Sequence, residues 1–233
     1  LLNIKKKYSL VYITISPTGI GFFKDSIIVL VLKIFQRKII FHMHGKGITS
    51  YYNKSNWFVK KYYQFIFKEV SVIHLSHKLV NDLSAFKKIN SIHILPNGIK
   101  KVDIEKFKKS TKGDIQILFL SNLIESKGVM YLLDAALILK NEYQLNFKVN
   151  FVGNFESDSF ERIFYKFVIS NNLSEQIEYL GPKYDNDKYQ AIADNDILAF
   201  PTINDCFPLV ILESMQFGLP VITTNEGAIS DII

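Results

Sequence analysis

Cysteine is nearly missing: Cys206 is the only one among 233 residues. A lone thiol excludes an internal disulfide framework and fits a reducing compartment, so a cytoplasmic location is expected. Its expected role is that of a small, semi-apolar filler. Long apolar runs are missing as well. The unbroken run near Ile27 covers six residues, Ile27 to Leu32, and stops at Lys33. A bilayer span takes roughly 20, so any membrane attachment is expected to be peripheral. No secretory signal is visible, no short repeat recurs and no low-complexity tract interrupts the chain. Metal-ligand spacing is also missing, and no metal or other cofactor is expected. The chain opens at Leu1 instead of Met and stops at Ile233 just after a strand and turn, so it reads as an internal fragment.

Acidic residues are scarce in one half only. Residues 1–112 hold 21 Lys+Arg and 5 Asp+Glu, a net +16, while residues 113–233 hold 7 and 17, a net −10. The overall charge of +6 hides this division. A basic half joined to an acidic half implies two domains with different partners. The expected boundaries are 1–99, a charged linker at 100–112 without apolar periodicity, and 113–233. Basic runs stand at Lys5-Lys6-Lys7, Lys60-Lys61, Lys87-Lys88 and Lys100 to Lys112. They read as solvated helix ends and linker, or as a face for an anionic membrane or nucleic acid. No nucleic-acid motif is visible, and the aromatics around Trp57 have the helical spacing of a core. An anionic membrane surface is therefore the expected partner, and nucleic acid is not.

What is present is an alternating rhythm. Strands are expected at Leu10–Ile15, Ile39–Met43, Val70–Leu75 and Ile92–Leu95, with helices at Asp25–Phe35, Ser55–Glu69 and Lys78–Lys87. The second half repeats it, with strands at Ile115–Leu120, Lys148–Val152, Ile177–Leu180, Ile197–Phe200 and Val221–Thr224. Its first helix, Gly128–Lys140, places Val129, Leu132, Leu133 and Ala136 on one face. Asp158-x-x-Glu161 resembles a capping box opening the next helix. A further short helix is expected at Asp187–Ala193. Strands alternating with helices imply α/β architecture with doubly wound parallel sheets in both halves. Ligands of such sheets bind beyond the carboxyl ends of the strands. The loops there are His42–Lys46, Ser121–Lys127, Gly153–Glu156, Gly181–Tyr184 and Thr202–Phe207.

The stretch Phe200 to Thr224 draws these signals together. Pro208 suits the first turn of a helix that runs to about Phe217, where Gly218 and Pro220 stop it. The helix is nearly all apolar and is expected to be buried on most sides. It nevertheless carries Glu213, and Asp205 precedes it. A buried carboxylate needs hydrogen-bond donors, which a hydroxyl-rich ligand supplies, and the helix start suits a phosphate. A plain N-cap and a snorkelling Glu are the alternatives. Lys127 stands beside another helix start, where it fits a diphosphate or is simply an exposed lysine. In His42-Met43-His44, the two imidazoles are expected on opposite faces of a strand end and not to converge.

Asp205-x7-Glu213, with Phe207, Pro208, Leu209, Val210 and Gly218-Leu219-Pro220, resembles the E-x7-E signature of retaining glycosyltransferases of family 4, which have the GT-B fold. The family has Glu-Gly-Phe where this chain has Asp205-Cys206-Phe207, so the charge is kept on a shorter arm. Ser121 to Gly128 resembles its G-R-L-x-x-x-K-G element. Lys127 and Gly128 match, while Ser121 replaces Gly and Asn122 replaces the Arg. His44-Gly45 resembles the family's His beside the donor sugar, and Pro96-Asn97-Gly98-Ile99 its domain-junction turn. Asp196 stands where the family has a structural Asp before Pro201, with Thr202 for Ser. The likeness covers about Leu10 to Ile233. The family's N-terminal Gly-Gly loop and its returning C-terminal helix are not in this sequence.

The resemblance implies two Rossmann-like domains facing a cleft, both incomplete here. It implies transfer of a hexose from a nucleotide-diphosphate sugar to a lipid-linked or polysaccharide acceptor. His44, Asp205 and Lys127 would act at the sugar and leaving group. Asn122, Lys127, Gly128, Phe207, Leu209, Val210 and Glu213 would hold the nucleotide sugar, with Glu213 on the ribose. Two rivals stand beside this reading. A nucleotide-sugar epimerase of the same fold would want acid–base carboxylates in the first half. A non-catalytic protein would bind membrane or nucleic acid through its basic half.

Overall fold

A computed structural model describes residues 9–110 and 113–233. Lys5-Lys6-Lys7 and the end of the expected linker, Thr111-Lys112, lie outside the described residues. The chain divides into two compact units, one ending at Asn97 and the other spanning Gly98–Ile232.

The first unit contains β1 (Leu10–Thr14), α1 (Gly19–Ile34), β2 (Lys38–Met43), α2 (Ile48–Lys54), α3 (Trp57–Phe67), β3 (Ser71–His74) and β4 (Ser91–Ile94). The strands pair in parallel in the order β1-β2-β3-β4, advancing in one direction. Aromatic rings fill the core. Phe22 stacks on Tyr63 with centroids 3.7 Å apart, and Phe67 stacks on Phe86 at 4.5 Å. The helix expected at Ser55–Glu69 is α3, and a further short helix, α2, precedes it where none was expected. Helix α2 has no local signal because its cap is tertiary. The Asp82 carboxylate accepts from the N–H groups of Gly47 (2.6 Å), Ile48 (3.0 Å) and Thr49 (3.1 Å). The short helix expected at Lys78–Lys87 is a 3-10 helix at Lys78–Leu83 that delivers this Asp. The aromatics of α3 are only half core: Tyr63 and Phe67 are buried, whereas Trp57 is 63% and Phe58 75% exposed.

The second unit contains β5 (Ile115–Leu120), α4 (Val129–Asn141), β6 (Phe147–Val152), α5 (Asp158–Ser170), β7 (Ile177–Gly181), α6 (Asp185–Ala193), β8 (Ile197–Phe200), α7 (Leu209–Gln216), β9 (Val221–Thr223) and α8 (Ile229–Ile232). All strands are parallel, in the order β7-β6-β5-β8-β9. The order reverses at β5, which makes the carboxyl ends of β5 and β8 the switch point of a doubly wound sheet. Val129, Leu132, Leu133 and Ala136 are all buried, as their spacing requires. Helix α5 is capped one residue earlier than the capping-box pattern implies. Ser157 is extended and its Oγ accepts from Phe160 N–H at 3.2 Å, leaving Asp158 as the first helical residue. A buried polar row crosses the sheet: Asn150 Nδ2 donates to Gln116 Oε1 (3.0 Å) and to Asn195 Oδ1 (2.8 Å).

The segment expected as a linker lies on the second unit. Val102 N–H donates to Gln216 Oε1 at 2.8 Å, Phe107 packs on Tyr189 and Phe217, and Ser110 N–H and Oγ donate to Asp194. Its single Phe and its backbone make contacts that a search for apolar periodicity does not register.

Close backbone approach fixes one glycine. Gly128 has φ +85°, and a Cβ there would stand 2.0 Å from the Pro201 carbonyl oxygen. Replacing Gly128 by Ala is expected to cost at least about 2 kcal/mol from left-handed strain and the clash. Gly98→Ala meets nothing and is expected to stay within about 0.5 kcal/mol. Chemical denaturation of both variants measures the contrast, and equal stabilities would contradict it.

His74, at the end of β3, is fully buried. Its Nδ1 accepts from Leu75 N–H at 2.9 Å, which places the ring proton on a buried Nε2 that has no partner among the described residues. Burial, then the neighbouring His42 and His44, lower its pKa to about 4. A histidine kept neutral by folding supports stability above its unfolded pKa of about 6.5. That support is lost as pH falls through about 4, with a change of about 3 kcal/mol at most. Denaturation followed through Trp57, the sole tryptophan, is expected to show acid destabilisation in this window that His74→Leu flattens. Parallel pH profiles would contradict it.

Candidate functional site

The switch point brings together two loops, 121–128 after β5 and 201–208 after β8. They are zipped by the Ser126 carbonyl, which accepts from Ile203 N–H (3.0 Å), Asn204 N–H (3.2 Å) and Thr202 Oγ (3.3 Å). Gly128 permits this approach by lacking a side chain. Lys127 and Asp205 thereby meet, with Nζ to Oδ2 at 2.5 Å. Their side chains are 19% and 15% exposed, so the pair is shielded without being sealed. Lys127 also donates to the Asn204 carbonyl at 3.2 Å. An ammonium has three donors, and one remains for a ligand.

Helices α4 and α7 both start at this edge, and neither has a side-chain cap. The N–H groups of their first turns are thus not closed by an N-cap side chain and carry a partial positive charge. By contrast, α2, α3 and α5 are closed by Asp82, Asn56 and Ser157. Phe207 and Pro208 are buried and seat the start of α7. The helix is less enclosed than its composition implies. Ile211 and Ser214 are buried, whereas Leu209 is 40% and Met215 43% exposed. Val210 is partly buried against the core.

Glu213 lies in the second turn of α7. It pairs with Lys188 on α6, Nζ to Oε1 at 2.5 Å. Sequence reasoning passed over Lys188, which is one of many lysines with no motif around it. It also passed over the turn after β9. A Cβ on Gly227 would stand 2.3 Å from the Asp205 carbonyl, and Ala228 N–H donates to the Cys206 carbonyl at 2.8 Å. That turn, at another strand's carboxyl end, braces the Asp205 loop. Cys206 is partly buried within it. Asn122 is exposed at the start of its loop. Asp196 is structural: Lys109 and the Gln116 N–H hold its carboxyl below the ordinary range.

His44 belongs to the first unit and is exposed just past β2. Its ring lies 4.0 Å from that of His42, against the expectation that the two diverge. Residues two apart on a strand share a face, so the sequence spacing itself favours convergence. His42 is buried, its Nδ1 bonds to the Tyr12 hydroxyl, and burial followed by the His44 charge lowers its pKa. The described carboxylates of this unit are all engaged. Asp25 accepts from Ser16 N–H at 2.9 Å, Glu69 pairs with Lys68 at 3.1 Å, and Asp82 closes α2.

Residues 101–233 match the family model described as Glycosyl transferases group 1. A capsular polysaccharide biosynthesis glycosyltransferase of Staphylococcus aureus is 24% identical over 163 residues, 69% of this chain and 44% of that protein. An Escherichia coli protein named UDP-Gal:alpha-D-GlcNAc-diphosphoundecaprenol alpha-1,3-galactosyltransferase is 24% identical over 240 residues, 95% of this chain and 59% of its own length. The chain thus spans about half the length of these curated relatives. Among solved structures, Anabaena HepE in complex with UDP has a TM-score of 0.76 at 18% identity, covering 97% of this chain and 62% of that one. At that identity the likeness shows the fold, two parallel-sheet α/β units of the GT-B kind. With the family model covering more than half of its residues, the chain belongs to the group 1 glycosyl transferases.

Proposed function

We propose that the chain is part of a retaining hexosyltransferase of the family 4 kind. It would take a nucleotide-diphosphate sugar as donor and a lipid-linked or glycan acceptor. The observation that carries this reading is the shielded Lys127–Asp205 pair at the switch point, beside two uncapped helix starts. The free donor of Lys127 and the N–H groups of α4 would hold the diphosphate as charge develops on the leaving group. Asp205 would accept from sugar hydroxyls on the oxygen that Lys127 leaves open, and Glu213 from the ribose. His44 is proposed at the sugar from the first unit. Asn122, in place of an Arg, adds hydrogen-bonding capacity without charge. The relatives support this chemistry: solved HepE structures are in complex with UDP and glucose, and the E. coli relative is named for transfer to a diphosphoundecaprenol-linked sugar.

The charge on the leaving group is assigned to a lysine and to N–H groups, so no metal is included in the proposal. Radiolabelled nucleotide sugars with membrane extract provide the assay. Lys127→Ala and Glu213→Gln are each expected to lower transfer by about 10- to 150-fold, the equivalent of one charged hydrogen bond. Transfer is expected to survive excess EDTA. Wild-type turnover in both variants would remove the site, and EDTA loss restored by Mg²⁺ would remove the metal-free mechanism.

The basic first unit is proposed to lie on an anionic membrane at its cytoplasmic face. No described helix is long and apolar enough to cross a bilayer. Along α3, exposed Trp57 and Phe58 stand beside Lys60 and Lys61, and Lys68 and Lys88 line the same groove. Each lysine near an anionic leaflet contributes about 1 kcal/mol, and exposed aromatic rings favour the interface. Sedimentation with vesicles is expected to rise with anionic lipid and to fall at about 0.5 M salt. Equal binding to neutral vesicles, or none to anionic ones, would exclude this docking.

A further inference from the structure

We infer that Lys188 is a positioning residue of the donor site, acting through Glu213. The inference rests on the reading above that Glu213 meets the ribose. Lys188 donates to Oε1 of Glu213 at 2.5 Å, and the two side chains are 24% and 15% exposed. Among the described residues, Oε2 of Glu213 takes no hydrogen bond from the protein. The carboxylate is therefore anchored at one oxygen and open at the other. An ionised carboxylate accepts at about four lone-pair sites, and the lysine uses one. Enough remain for the two adjacent hydroxyls of a ribose.

The anchor matters because of the length of the arm it holds. A glutamate has three rotatable bonds, and α7 provides no neighbour on its own surface to fix them. Lys188 comes from a different helix, so the pair holds its geometry only while α6 and α7 keep their relative position. A second contact keeps it. Tyr189, next to Lys188, stacks on Phe217 at the end of α7 with centroids 6.0 Å apart, and Phe107 packs on both rings. Lys188 Nζ lies 4.9 Å from the Tyr189 ring centroid, so its stem is also guided. The segment 98–110 thus clamps the helix pair that presents Glu213.

A purely structural ion pair of this exposure would contribute up to about 1 kcal/mol to folding and nothing to ligand choice. The two roles separate on a nucleotide that lacks the ribose hydroxyls. UDP, GDP and ADP are titrated calorimetrically into the intact protein. The tightest binder is then compared with its 2′,3′-dideoxy form in the wild type, Lys188→Met, Lys188→Arg and Glu213→Gln. Lys188→Met is expected to weaken the ribonucleotide by about 10-fold. Lys188→Arg, which keeps a cation in reach, should stay within about 3-fold. The Lys188→Met loss should vanish with the dideoxy form.

If Glu213→Gln weakens ribonucleotide binding while Lys188→Met does not, the inference fails and the ribose reading stands. If Lys188→Met weakens both nucleotides equally, the pair is structural and the inference fails. If Glu213→Gln changes neither, or no nucleotide binds, the ribose reading falls and the inference with it.

Discussion

The candidate site depends on one close approach. Gly128 sits against the Pro201 carbonyl, and the Ser126 carbonyl takes three hydrogen bonds from the opposite loop. This contact joins the carboxyl ends of β5 and β8 where the strand order reverses. It sets Lys127 against Asp205 and leaves two helix starts open at the same edge. A side chain at position 128 would part the loops and separate the charges. The glycine is therefore placed by the need for proximity, and its left-handed φ is how the backbone accommodates it.

Much of the second unit was legible in the sequence because its signals are local. Strands β5 and β8 have the expected bounds, and the stripe Val129, Leu132, Leu133 and Ala136 is buried as its period requires. Lys127 and Asp205 are 78 residues apart in sequence and still meet, because parallel topology sends every strand's carboxyl end to one edge. Features made by distant partners were not legible. Asp82 caps α2 across 35 residues, Lys188 reaches Glu213 across 25, and Phe107 fills a gap between α6 and α7. None of these has a local pattern. The cap of α5 was displaced by one residue because Ser157 competes with Asp158 for the same role. The histidine pair failed differently, since the period of a strand places His42 and His44 on one face.

The division of charge now has a structural setting. The acidic unit carries two part-buried carboxylates as lysine pairs, Lys127–Asp205 and Lys188–Glu213. Each pair orients a carboxylate while leaving acceptor capacity open. Those are the properties that a neutral, hydroxyl-rich ligand joined to a diphosphate would require. In the basic unit the described carboxylates are consumed by a helix cap, a loop N–H and a surface lysine. An epimerase would want acid–base carboxylates there, and the three described ones already hold these partners.

The most direct test is a structure with the tightest-binding nucleoside diphosphate bound. The site described here requires a phosphate oxygen within about 3 Å of Lys127 Nζ and of the first N–H groups of α4. A diphosphate bound elsewhere, with the Lys127–Asp205 pair and both helix starts untouched, would contradict it.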